Sequence, residues 1–340
     1  MEKHRTLFIT QRGAFHQQMA IAAAPPELEI IMRRQPAKEE ILALLPECEF
    51  LISERSGAID AEIIRTGKKL RLIQRLGAMT EDIDLETARQ MGIPVCTFPV
   101  FTCVMVAEHM MMQMLCLAKR LPEMMHIMEE AQDWGKPPQR CDEDTFSYNW
   151  SERQNIRALY HSTVGIVGFG EIGVELALRL KGFACTVLYN KRQRLQPFTE
   201  EQLGIQYAEL DDLLSRSDTV CLLLPYFPET EGIVNASFIA KMKAGSCLVC
   251  CGGSGILDEQ DIAAALSSGY LGGVATDTYA WEPVRPDNPL LPLARQKGVN
   301  IILTPHTAAG SAPADERGRV EDYTNLVNLL QGKPLLYRVV

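Results

Sequence analysis

The chain has 340 residues and a net charge of −9, from 34 lysines and arginines against 43 aspartates and glutamates. That length sets an expectation of two domains, and 46% hydrophobic with 23% charged residues suits an ordinary soluble chain with a sizeable core. The acidity disfavours a nucleic-acid partner or a membrane surface, although an acidic protein can still hold a local cationic pocket.

The first residues, Met-Glu-Lys-His-Arg, lack the apolar segment of a secretory signal. Most of the ten cysteines lie inside apolar runs, which reads as reduced core thiols in a cytoplasmic protein rather than a disulfide framework. Residues 1–100 then alternate strand and helix patterns. Leu7–Thr10, Glu29–Met32, Phe50–Ser53 and Leu72–Arg75 read as strands; Lys38–Leu45, Asp60–Gly67 and Asp84–Met91 read as helices. Such alternation predicts a parallel sheet covered on both faces, closing at the turn Thr97-Phe98-Pro99. From Thr102 to Glu130 runs one long Met-rich helical pattern, read as a buried core or dimer helix, with a Met-rich binding groove as the other possibility. Glu108 and His109 interrupt its greasiest part, which is too short to span a bilayer. Residues 131–160 are polar and irregular, a surface excursion suited to reaching a partner subunit.

The stretch from Thr163 to Gly173 is a short apolar strand, a glycine turn and the start of a helix. Gly168, Gly170 and Gly173 fit G-x-G-x-x-G in that context. The first glycine permits the tight turn, the second lets backbone approach a pyrophosphate, and the third lets the helix pack on the strand. Free N–H groups of Gly170, Glu171 and Ile172 at the helix start would receive the phosphates. Further apolar runs at Ala184–Tyr189, Thr219–Leu224, Cys247–Cys251, Gly273–Asp277 and Asn300–Leu303 read as parallel strands buried on both faces. Leu224-Pro225 and Thr304-Pro305 end two of them, where ligands gather in open α/β sheets. A last helix is expected over roughly 314–331. Cys247-x-x-Cys250-Cys251 has a metal-like spacing, but it lies along a strand whose side chains alternate faces, and the second half of a zinc site is missing. No metal is expected.

These motifs together resemble the D-2-hydroxyacid dehydrogenase family along nearly the whole chain. Arg75–Asp84 looks like its substrate loop, Val106-Ala107-Glu108-His109 the start of its interdomain helix, and Leu248–Glu259 the stretch carrying Asn-x-Ala-Arg-Gly-Gly. Asp277–Pro283 and Thr304-Pro305-His306 complete the set. The resemblance implies two Rossmann-like, doubly wound parallel-sheet domains with the active site in the cleft between them. Residues 1–102 with 308–340 would form a flavodoxin-like substrate domain, and 103–307 the dinucleotide-binding domain. It implies His306 as acid and base, Glu282 as its supporting carboxylate, and Asp277 as a holder of the nicotinamide carboxamide. Asp277 also reads as a strand-end carboxylate capping a turn. Substrate contacts would come from Gly77, Ala78 and Met79, and cofactor contacts also from Leu224, Pro225, Cys251 and Gly252. Such an enzyme would exchange hydride with a small 2-oxo or 2-hydroxy acid; the long Met-rich helix and the polar excursion fit a homodimer.

Three positions depart from the pattern. Gly253 stands where the family has the arginine that grips the substrate carboxylate; Met79 stands for a glycine and Asp82 for an asparagine. Losing one such charge-stabilising donor costs about 10²–10³ in rate. Arg55 is the candidate replacement, or else a solvated loop charge. Loss of the arginine also leaves open a nucleotide-binding regulator or scaffold with reduced chemistry. At the cofactor-selecting position stands Asn190, followed by Lys191, Arg192 and Arg194, where an acid would select NAD. NADP is therefore expected over NAD.

Overall fold

The computed structural model describes residues 3–54, 57–130, 134–310 and 316–340. Contacts divide the chain into two compact units, Met1–Cys103 with Ser311–Val340, and Val104–Gly310.

The first unit runs β1 (His4–Thr10), α1 (Ala14–Ala22), β2 (Leu28–Arg34), α2 (Lys38–Leu44), β3 (Phe50–Glu54), α3 (Ala61–Thr66), β4 (Leu72–Leu76), α4 (Leu85–Gln90) and β5 (Val95–Phe98). The strands form one parallel sheet in the order β2-β1-β3-β4-β5. Alternating side chains split its core in two. Leu7, Ile9, Leu51, Ile73 and Val95 pack with Ile41, Ile63, Ile64 and Ala88 of α2, α3 and α4 on one face. Phe8, Phe50, Ile52 and Leu72 pack with Ala20, Tyr323 and Leu326 on the other. Asp60 and Asp84 cap α3 and α4, each accepting the backbone N–H three residues on. Arg55 lies outside the described residues.

The second unit's elements are α5 (Phe101–Ala118), whose first turn precedes the boundary, α6 (Leu121–Glu130), β6 (Thr163–Val167), α7 (Glu171–Leu180), β7 (Thr186–Asn190), α8 (Pro197–Leu203) and β8 (Ile205–Tyr207). There follow α9 (Leu210–Arg216), β9 (Thr219–Leu222), α10 (Ala236–Ile239), β10 (Cys247–Cys250), α11 (Glu259–Ser267), β11 (Gly273–Thr276), α12 (Leu290–Ala294) and β12 (Ile301–Leu303). Its parallel sheet has the order β12-β11-β10-β9-β6-β7-β8, so the chain reverses direction between β6 and β9. That reversal leaves a crevice at the carboxyl ends of β6 and β9, the usual place for a bound nucleotide.

The long helix expected over 102–130 is two helices. They break at Arg120, whose φ of 51° is left-handed. Pro122, in the first turn of α6, disfavours helical geometry in the residue before it. α5 is apolar and long enough to cross a membrane by length and composition. Met110, Met114 and Leu117 on it are nonetheless buried, and Met114 Sδ accepts from the Cys221 thiol on β9. The final helix is also shorter than expected. A 3-10 turn covers Glu316–Tyr323, and only α13 (Thr324–Leu330) is α-helical. β5 extends into the residues read as a turn, because the chain end pairs with it: Thr97 N–H donates to Tyr337 O and Val339 N–H to Val95 O.

Candidate active site

Within the second unit the glycine turn after β6 is held by its neighbours. Gly168 has φ +86°, and a Cβ there would lie 2.7 Å from Leu224 N, so only glycine lets β9's exit pass over the turn. Gly168 N–H donates to Asn190 O, which ties the turn to the end of β7. A Cβ on Gly170 would meet nothing within 4 Å, so the start of α7 is open. Gly170 caps α7 without a side-chain bond, leaving first-turn N–H groups for an anion. A Cβ on Gly173 would press the Phe169 ring at 3.0 Å. Glu171 is 6% exposed, so what this helix start offers a phosphate is its backbone rather than that side chain. These residues fit a pyrophosphate.

At the end of β7, Asn190 donates its amide to Ala208 O at 2.9 Å. Arg194 makes a two-pronged bond to Glu200, 2.8 Å on each arm, and lies over the Tyr207 ring. Of the three cations expected there, Arg194 is therefore committed to Glu200.

The ends of β11 and β12 bring the acid-base candidates together. His306 Nδ1 lies 2.5 Å from Glu282 Oε2. A carboxylate accepts, so Nδ1 carries a proton and Nε2 is left for another partner. Glu282 Oε1 accepts from the Tyr279 N–H and from Ser254 Oγ, both at 2.9 Å. Burial pushes the Glu282 carboxyl up, but the bonds from His306, Tyr279 and Ser254 outweigh it, and its pKa falls below the ordinary value. His306 itself has φ 53°, an uncommon backbone for a side-chain-bearing residue.

Asp277 explains how that backbone is held. It is 1% exposed, and its Oδ1 accepts from Thr304 Oγ1 at 2.6 Å and Thr307 N–H at 3.0 Å. Its Oδ2 accepts from Ala308 N–H at 2.8 Å. Of its two roles read from the sequence, this geometry supports the turn-capping one: Asp277 clamps the loop that carries His306. His109 extends the cluster, with Nε2 3.0 Å from Thr304 Oγ1 and 3.7 Å from Asp277 Oδ1. Gln113 bonds Thr304 and accepts from the Cys251 thiol. Burial raises the thiol pKa of Cys247 (to about 11), Cys250 and Cys251, which opposes thiolate chemistry.

Residues 111–308 match the D-isomer specific 2-hydroxyacid dehydrogenase family through its NAD-binding domain. The chain belongs to that family. A D-3-phosphoglycerate dehydrogenase of Archaeoglobus fulgidus is 30% identical over 313 residues, covering 91% of this chain and 54% of that one. The chain thus spans about half the length of the phosphoglycerate dehydrogenases it matches. A glyoxylate reductase of Korarchaeum cryptofilum is 30% identical over 301 residues, covering 88% and 84%. Among solved structures, the PH0520 protein of Pyrococcus horikoshii superposes with a TM-score of 0.57 at 26% identity, over 99% of this chain and 95% of that one. A formate dehydrogenase from Granulicella gives 0.55 at 27%, over 92% and 80%.

The dehydrogenase family pattern gives the surroundings of Gly253 their meaning. A Cβ on Gly253 would sit 2.2 Å from Tyr226 N and 2.9 Å from Pro225 C. Gly253 N–H donates to Leu224 O at 2.8 Å, and a Cβ on Gly252 would lie 2.8 Å from the same oxygen. Backbone 224–226 has closed over the place where the arginine side chain would begin.

In the first unit Gly77 has φ +128° and donates to Phe98 O, with Ala78 and Met79 partly exposed beyond it. Asp82, the departure from asparagine, accepts from Arg75 Nε at 3.0 and 3.2 Å. The Arg75 side chain is only 5% exposed, so it serves its own loop. Asp82→Asn should remove the charge that accepts from Arg75 Nε and cost about 2–4 kcal/mol, the low side of a buried pair because Asp82 is partly exposed. Urea unfolding of the two proteins measures the difference, and equal midpoints would show that the pair contributes nothing.

Proposed function

We propose that this chain moves hydride between a nicotinamide dinucleotide and a 2-oxo or 2-hydroxy acid or close analogue, with His306 as acid and base and Glu282 behind it. The observation that carries the reading is the 2.5 Å bond between His306 Nδ1 and Glu282 Oε2 in a unit whose family binds NAD. NAD(P), held on Gly168, Gly170 and the first N–H groups of α7, supplies or accepts the hydride when bound. In reduction His306 holds a proton at Nε2 and delivers it to the substrate oxygen as the carbonyl carbon is reduced. In oxidation the same nitrogen takes the hydroxyl proton. Glu282 keeps the ring oriented and stabilises its positive charge.

A panel of glyoxylate, hydroxypyruvate, pyruvate and bulkier 2-oxo acids, assayed for NADH and NADPH oxidation, tests this. Turnover of at least one acid is expected. A flat panel with intact cofactor binding would replace this reading with the regulator, which the crowding at Gly253 favours. The same assay reads cofactor preference. Asn190 with Lys191 and Arg192 favours a 2′-phosphate, for which one charge-assisted contact predicts a KM for NADPH about tenfold below that for NADH; equal values refute it. Two further expectations belong to this proposal. Exposed Met112, Met125, Met128, Phe146 and Tyr148 offer apolar surface for a homodimer, and the ten free thiols suit the reducing cytoplasm.

A further inference from the structure

We propose that Ser254 is a positioning residue of the proton-transfer pair, fixing which oxygen of Glu282 faces His306; the role rests on the hydride-transfer reading above. In the family stretch laid over Leu248–Glu259, position 254 falls on a glycine. Here it carries a hydroxyl, and that hydroxyl donates to Glu282 Oε1 at 2.9 Å.

The contact is solvent-exposed, but both of its ends are anchored. The turn bearing Ser254 cannot drift, because Gly252 and Gly253 pack without spare room beneath Leu224–Tyr226. Oε1 therefore takes two donors from fixed backbone segments, Ser254 on one side and the Tyr279 N–H on the other. Oε2 is left to the imidazole. With the hydroxyl gone, Oε1 keeps a single bond, and the carboxylate can rotate about its last side-chain torsion. The ionisable groups that face Glu282 are His306, from the loop after β12, and Tyr279, from its own loop; Asp277 and Glu259 bear on Tyr279 in turn. A donor to the ionised form holds the carboxyl pKa down. The ionised carboxylate is what supports the imidazolium during reduction.

The position beside Gly253 therefore has a second meaning. The same turn that lost the family's guanidinium has gained a hydroxyl on the catalytic carboxylate.

The test compares Ser254→Ala with Ser254→Thr, which keeps the hydroxyl. Loss of the donor should move the acid limb of kcat for reduction up by about 0.5–1 pH unit. It should lower kcat about 3–10-fold with cofactor KM unchanged, and the threonine variant should restore both. A parallel NMR titration of the His306 ring, labelled at Cε1, should show the inflection from Glu282 rising by the same amount. An acid limb and ring titration that stay at wild-type values in Ser254→Ala would overturn the proposal. Because the titration needs no substrate, a shifted inflection in a protein that turns over no acid would overturn the hydride-transfer reading while leaving the Ser254 contact standing.

Discussion

His306→Asn should lower kcat/KM by about 10²–10⁴-fold, the range expected for removing a positioned acid-base group. Asparagine is chosen because the backbone here is left-handed, φ 53°, and asparagine tolerates that region better than alanine does. The loop also keeps its own supports. Asp277 still accepts from Thr304, Thr307 and Ala308, none of which the substitution touches. Cofactor binding, followed by quenching of tryptophan fluorescence, should therefore stay within about twofold, since the glycine turn lies at another strand end. Should the asparagine protein retain a tenth of the activity, His306 is not the proton donor.

Gly253→Arg is expected to fail as a rescue. Restoring the family's residue by substitution is the natural choice from the sequence alone, yet the obstacle begins at the first side-chain atom, 2.2 Å from the backbone nitrogen of Tyr226. A flexible neighbour could move aside; a main-chain segment that accepts the Gly253 N–H through Leu224 O cannot do so cheaply. Overpacking of this kind costs about 3 kcal/mol or more. At about 2–4 °C per kcal/mol, Tm should fall by about 6–12 °C. Gly253→Ala should carry most of that loss, since both substitutions add the same clashing atom. Calorimetry on the two variants decides the matter. An arginine protein that melts near wild type and gains activity would mean that backbone 224–226 yields readily.

The fold was largely readable because its signals are redundant. The strand at Thr163–Val167 and its glycine turn have a composition that little else explains, and the buried parallel strands are near-continuous apolar runs. The expected strands run one or two residues past the ladder at Leu224 and Asp277, and the one expected from Ala184 begins at Thr186, because Ala184 is exposed and left-handed, with φ 51°. The break at Arg120 was hidden because Pro122 also fits the first turn of a new helix. Thr97 and Phe98 read as a turn, yet they continue β5 along β4, and the further support from the chain end, Thr97 to Tyr337, comes from 240 residues away in sequence.

At the site, motif context singled out His306 and Glu282, and the structure brings them into contact. What stayed hidden were pairings between residues unremarkable on their own. Asp82 looked like a change in the substrate loop and is the counter-charge to Arg75. Ser254 and His109 stood inside recognised motifs, but only the folded chain shows the one touching Glu282 and the other Thr304. Gly253 reads as a deletion of chemistry; that main chain 225–226 occupies the space beside it is invisible in a string of letters.

The first sheet also bears on how the chain matures. Phe8, Phe50, Ile52 and Leu72 are made early, but two residues that cover them, Tyr323 and Leu326, are made only after the second unit. During vectorial synthesis the ribosome therefore releases a half-roofed sheet and then completes an entire second unit before the missing cover emerges. The order of folding inverts the order of translation: the later unit can mature first, and the earlier one must wait with an apolar face uncovered, the interval in which a nascent chain most needs a chaperone.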